Sequence, residues 1–85
     1  MKHSMRTKGT CSAAVEFELD NGIIHNVSFL GGCNGNTTGV ARLCEGLKAE
    51  EVVKRLRGIR CGFKNTSCPD QLAQAIEMAL EEERA

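Results

Sequence analysis

Residues 13–19 alternate. Ala13, Val15, Phe17 and Leu19 are interleaved with Ala14, Glu16 and Glu18. A period of two is what a strand with one buried face requires, and no helix keeps such a set on one side. Asp20-Asn21-Gly22 is a turn signal, so residues 10–19 and 23–30 read as an antiparallel β-hairpin. A three-residue loop with Gly22 in the left-handed region pairs Leu19 with Ile23, Phe17 with His25 and Val15 with Val27. A two-residue loop at Asn21-Gly22 sets Phe17 opposite Asn26 and Glu16 opposite Val27. That mixes the faces, and a one-residue slip flips a whole strand, so the three-residue loop is preferred. It places His25 among apolar neighbours, as a half-buried histidine satisfied by a backbone group. A proton donor or further ligand near the cysteines is the alternative role for His25.

Beyond residue 30 the period becomes helical. Asn36 or Thr37 can cap a helix reaching about Cys44, with Gly46 as its stop. Gly39 inside that helix lowers its propensity by roughly 1 kcal/mol against alanine, which points to close packing or a ligand there. A second helix runs from Lys48 or Ala49 to Arg57, with Val52, Val53 and Leu56 as its apolar stripe and Gly58 as its stop. A third runs from Pro69 to Glu83. Leu72, Ile76, Ala79 and Leu80 form its buried face, while Gln71, Gln74 and the glutamates face water. The fold class is therefore α+β, an antiparallel hairpin followed by three helices packed on one face. A lone hairpin is marginal in water, and dimerisation is a route to a wider sheet. Residues 1–9, with Lys2, His3, Arg6 and Lys8, read as a flexible basic tail, and residues 10–85 as a single domain.

A domain of 85 residues without Trp or Tyr has a modest core. Small domains of this kind gain from a metal, a disulfide or a partner chain. The balance of 11 basic and 11 acidic residues argues against a dedicated nucleic-acid binder but leaves nucleic acid open as a partner. The N-terminus lacks the apolar run of a signal peptide, and nothing approaches the ~20 apolar residues of a membrane span. The expectation is a cytoplasmic protein, where thiols stay reduced and structural disulfides are rare. An odd count of five cysteines also speaks against a disulfide framework.

Four of those cysteines are placed for chemistry. Cys11 starts the first strand. Cys33 lies in the glycine-rich run Gly31-Gly32-Cys33-Asn34-Gly35-Asn36, which follows the second strand. Cys61 precedes the last helix, and Cys68 caps it. The spacings match no zinc ribbon, since no C-x-x-C pair exists. The case is topological: all four can meet at one end of a hairpin-plus-helices layer, as a tetrahedral thiolate site with sulfurs about 2.3 Å from the metal requires. Zinc is the expected metal, with iron as the alternative. A thiol at a helix N-terminus is biased towards thiolate, and Lys64 pushes the same way. A thiol–disulfide role using Cys61 and Cys68 is therefore a second reading. Cys44 falls at the helical spacing of Val40, Leu43 and Leu47 and reads as core. Gly31, Gly32, Gly35 and Asn36, leading into a helix, are candidates for holding a nucleotide phosphate. They lack the Lys-Ser/Thr ending of a phosphate-binding loop. No Ser-His-Asp set or carboxylate pair is visible, so the chain shows no complete catalytic site.

Thr66-Ser67-Cys68-Pro69-Asp70 spells the signature of the TSCPD domain. Gly31-Gly32-Cys33-Asn34-Gly35-Asn36, Cys61-Gly62 and Asp70-Gln71-Leu72-Ala73 fit the rest of its pattern. The chain resembles the small stand-alone, four-cysteine members of that family from about Cys11 to Leu80. By position, the four family cysteines correspond to Cys11, Cys33, Cys61 and Cys68, with Cys44 outside the set. A related domain closes the adenosylcobalamin-dependent ribonucleotide reductases. The resemblance thus implies a metal-binding or thiol role near deoxyribonucleotide synthesis, with a reductase-type protein or a nucleotide as partner. The chain has no reductase barrel and no radical-forming site, so it cannot reduce ribonucleotides by itself.

Overall fold

The computed structural model describes residues 2–7, 12–31, 34–60 and 66–84. The strands β1 (Lys2–Arg6), β2 (Ser12–Asp20) and β3 (Ile23–Gly31) are followed by the helices α1 (Asn34–Cys44), α2 (Ala49–Leu56) and α3 (Cys68–Arg84). The sheet is antiparallel in the order β1-β2-β3. This is the α+β architecture that the periodicity implies, with one strand more.

The added strand comes from the segment read as a tail. His3 and Met5 point inward while Lys2, Ser4 and Arg6 are exposed, the same period of two that marks β2. The register sets His3 against Phe17, and Lys2 and Ser4 against Glu18 and Glu16. The His3 ring stacks on Phe17 at 5.5 Å between centroids. Its Nε2 donates to Glu83 at 2.9 Å, and Nδ1 lies 3.8 Å from Glu82. The charges that make residues 2–6 look like a solvated end occupy only one face of the strand. The sheet is thus widened by the chain's own N-terminal segment.

The hairpin differs from the expected register. Asp20 pairs with Ile23, so the loop is the two-residue turn Asn21-Gly22, with φ of 51° and 79°. Positive φ at both centres matches the right-handed twist of the flanking strands. Mixed faces are avoided by a bulge. Glu18 pairs with His25 but Glu16 pairs with Ser28, so β3 carries one extra residue around Asn26, whose φ is 53°. Ile24 before the bulge and Val27 and Phe29 after it consequently all serve the core. His25 falls opposite Glu18, away from the apolar set, and donates from Nδ1 to Glu45 at 2.6 Å. The other carboxylate oxygen of Glu45 accepts the Asn26 backbone N–H at 2.9 Å, and the Asn26 side chain donates to Glu18.

Val15, Phe17, Leu19 and Ile24 face a helical layer that contributes Cys44, Ala49, Val52, Leu72, Ala75, Ile76 and Ala79. Cys44 is buried in this core, as its spacing predicts, and burial pushes its thiol pKa up. Gly39 is exposed, and an added Cβ would meet nothing within 4 Å, so close packing does not explain it. Among the described residues no helix is long and apolar enough to cross a membrane.

Candidate functional site

The directions of the elements decide which ends meet. Glu83 near the end of α3 bonds His3 at the start of β1, whereas Gln71 and Gln74 share a cleft with Met5 and Arg6 at its end. Helix α3 is therefore antiparallel to β1. Arg6 pairs with Ala14, Ala14 with Leu30, and Ser12 with Gly31. Helix α1 returns along β3, since Gly46 after it donates to the Ile24 carbonyl at 2.8 Å. One end of the sheet thus collects the start of β2, the end of β3 and the N-termini of α1 and α3.

Cys68 is the first residue of α3 and is 6% exposed. The helix cap is the residue before it. The Ser67 hydroxyl accepts the Asp70 backbone N–H at 3.2 Å, and the Ser67 carbonyl accepts the Gln71 N–H at 2.9 Å. Pro69 falls in the first turn, where its missing N–H costs nothing. Cys11, Cys33 and Cys61 lie outside the described residues, as do Lys64 and Gly32. Their described neighbours in sequence, Ser12, Gly31, Asn34, Arg60 and Thr66, do not. Gly31 ends β3 with φ of 79°. Gly35 and Asn36, expected in a loop, belong to the backbone of α1, which starts at Asn34. Among the described residues no group of three His, Cys, Asp or Glu side chains is arranged to hold a metal ion.

A polar cluster at this end surrounds Asp70, which is 2% exposed. Its Oδ1 accepts the Gly58 backbone N–H at 2.6 Å and Arg57 Nη1 at 3.2 Å. Its Oδ2 accepts the Thr66 hydroxyl at 2.5 Å and Gln74 Nε2 at 3.0 Å. Gln71 Nε2 donates to Thr66 Oγ1 at 3.0 Å, and Arg57 Nε to Glu77 at 2.7 Å. Burial raises the Asp70 pKa, but the hydrogen bonds from Thr66, Gly58, Gln74 and Arg57 outweigh it and hold the carboxyl below its usual range. Gln71 is buried and Gln74 half-buried, not turned to water as their places on the helix suggest. The signal that reveals this cluster is local: Ser67 followed three residues later by Asp70 is a capping-box pattern. Gln74 one helical turn further on is a natural partner for that carboxylate.

The family model of the TSCPD domain matches residues 1–80. Neither the curated proteins nor the solved structures give a match. The match runs from β1 into α3 as far as residue 80 and includes the Thr66–Asp70 run around which the polar cluster is built, and the chain belongs to the TSCPD domain family.

Proposed function

We propose that this protein is a small thiolate metal module in which Cys11, Cys33, Cys61 and Cys68 hold one zinc ion, iron being the alternative. The supporting observation is the single end of the sheet at which the cysteines' described neighbours gather. Ser12 and Gly31 are backbone partners, Asn34 and Cys68 open α1 and α3, and Thr66 is fastened to Asp70. The donor set suits the ion, since four thiolates form a closed structural zinc site. Two helix N-termini at that end favour the thiolate form. Bound zinc would supply a redox-inert cross-link between the sheet and the helical layer. The likeness of the sequence to the reductases' C-terminal domain supports a reductase-type protein of deoxyribonucleotide synthesis as the partner.

The test is elemental analysis with native mass spectrometry on protein purified without chelator and without oxygen. One zinc per chain is expected. Cys44→Ala should keep the metal and lose only packing, on the order of 1 kcal/mol, whereas Cys33→Ser and Cys61→Ser should lose the metal. Equal metal loss in all three variants would remove the ligand assignment. A folded, metal-free protein would favour thiol–disulfide exchange through Cys61 and Cys68. That second reading is supported by the place of Cys68 at the first residue of a 17-residue helix.

A further inference from the structure

We propose that the outer edge of β1, together with the cleft between that strand and α3, takes an extended segment of a partner protein. The segment pairs as a fourth, antiparallel strand, with acidic side chains opposite Lys2 and Arg6 and apolar ones over Met5 and Met78. The inference is independent of the metal reading, since no cysteine takes part. Strand β1 stands at one edge of the sheet, and among the described residues only β2 pairs with it. The Thr7 backbone N–H donates to the Ala13 carbonyl at 3.1 Å, which makes these two residues a hydrogen-bonded pair. Such pairs recur at every second residue of an antiparallel ladder. Met5 and His3 therefore turn their N–H and C=O groups towards β2, and Lys2, Ser4 and Arg6 turn theirs outward. An edge of this kind is a template for a further strand.

The side chains along that edge define the partner. Lys2, Ser4 and Arg6 are exposed on the open face of the sheet, where a residue directly opposite lies about 5 Å away. Within the chain Lys2 is opposite Glu18, but Arg6 is opposite the uncharged Ala14. Full-length antiparallel pairing of β1 with a second copy is centred on Ser4 and sets Lys2 against Arg6 twice, and like charges directly opposite are destabilising. The edge thus resists its own copy and suits an acidic strand. Glu16 and Glu18 stand on the strand behind, about 10 Å from the added one, where salt screens their repulsion. On the helix side the His3 ring is already taken by Phe17 and Glu83. Met5 is half-buried and Met78 of α3 is 55% exposed, and both line a cleft with Gln71 and Gln74. Methionine adapts to apolar groups of varied shape. A strand laid between this edge and α3 gains backbone bonds on one side and an apolar floor beneath.

The experiment uses the full chain and a dye-labelled, terminally blocked synthetic heptapeptide of alternating glutamate and valine, read by fluorescence anisotropy at low salt. Saturable binding is expected, with slower amide exchange at the outward-facing Ser4 N–H when the peptide is bound. Methylating every glutamate nitrogen removes the peptide donors that face β1 and should weaken binding on the order of tenfold or more. Methylating the valine nitrogens, which face away, should change it little. These two peptides test the pairing on the wild-type protein alone. Arg6→Glu should weaken the glutamate peptide roughly tenfold and strengthen its lysine–valine counterpart. Met78→Ala should weaken the glutamate peptide about threefold. Absence of saturable binding, or binding indifferent to glutamate methylation, overturns the proposal. So does equal binding of the lysine–valine peptide by the wild type. A wild type that sediments as a dimer and is split by the glutamate peptide also overturns it, since the edge would then belong to a second copy.

Discussion

Two carboxylates are held below their usual range by different means. At Asp70 burial works against the charge and four donors overcome it; at Glu45, on the surface, the leading cause is the Asn26 backbone N–H, followed by His25. Glu45 closes the bulge from outside the sheet and lies at the opposite end of the sheet from Ser12 and Gly31, since it follows α1 and meets the start of β3. A carboxyl whose pKa is lowered on folding stabilises the fold above its unfolded value and ceases to do so as pH falls through the folded one. The difference in thermal midpoint between wild type and Glu45→Gln should therefore be present above the ordinary glutamate value of about 4.3 and shrink as pH falls below it. A gap that widens in acid would contradict the hydrogen-bonding role of Glu45. Neither carboxylate is marked by hydrophobic pattern. Asp70 is legible through its spacing from Ser67, whereas Glu45 becomes visible only once the bulge has turned Asn26 towards it.

At the scale of elements, the bulge at Asn26 decides how the hairpin works. The alternation of β2 and the presence of a turn at Asn21-Gly22 are legible in the sequence, because both are local. The register is not, because a single extra residue in β3 lets a two-residue turn coexist with a single apolar face. The start of α1 is obscured for a similar reason: Gly35 inside its first turn looks like loop. Strand β1 is hidden because three of its five residues are charged or histidine, although His3 and Met5 alternate correctly. The bulge rests on a residue that tolerates positive φ, and Asn26 does so at 53°. Replacing it by a β-branched residue should strain the backbone, so Asn26→Val is expected to lower unfolding stability by about 1–2 kcal/mol. Asn26→Gly removes the side-chain bond to Glu18 but keeps the conformation and should cost clearly less. Urea denaturation of the two variants checks this, and equal losses would mean that the backbone conformation at Asn26 carries no strain for a side chain.

At the scale of the whole molecule, α3 is fastened at both ends by different chemistry. Its first residue is Cys68, beside the Asp70 cluster, and its last turns hold β1 through His3, Glu82 and Glu83. Fifteen residues of helix put these two fastenings about 22 Å apart. The start of α3 is legible, because Ser67 as its cap and Pro69 in its first turn are local signals written in the sequence. The His3 end is not, because it joins residues 80 positions apart that no local pattern links. Distance makes the two contributions separable, since effects at sites more than about 10 Å apart with no shared partner add. His3→Ala should lower the thermal midpoint through lost stacking on Phe17 and the lost bond to Glu83. If the proposed zinc site forms, chelation should lower it too, since assembly of such a site is coupled to folding. In the chelated variant the two decrements should sum. A chelator that leaves the wild-type midpoint unmoved would count against the zinc site while leaving the His3 decrement intact. A combined loss well beyond the sum would show that β1 and the start of α3 form one cooperative unit through that helix, with neither fastening able to hold it alone.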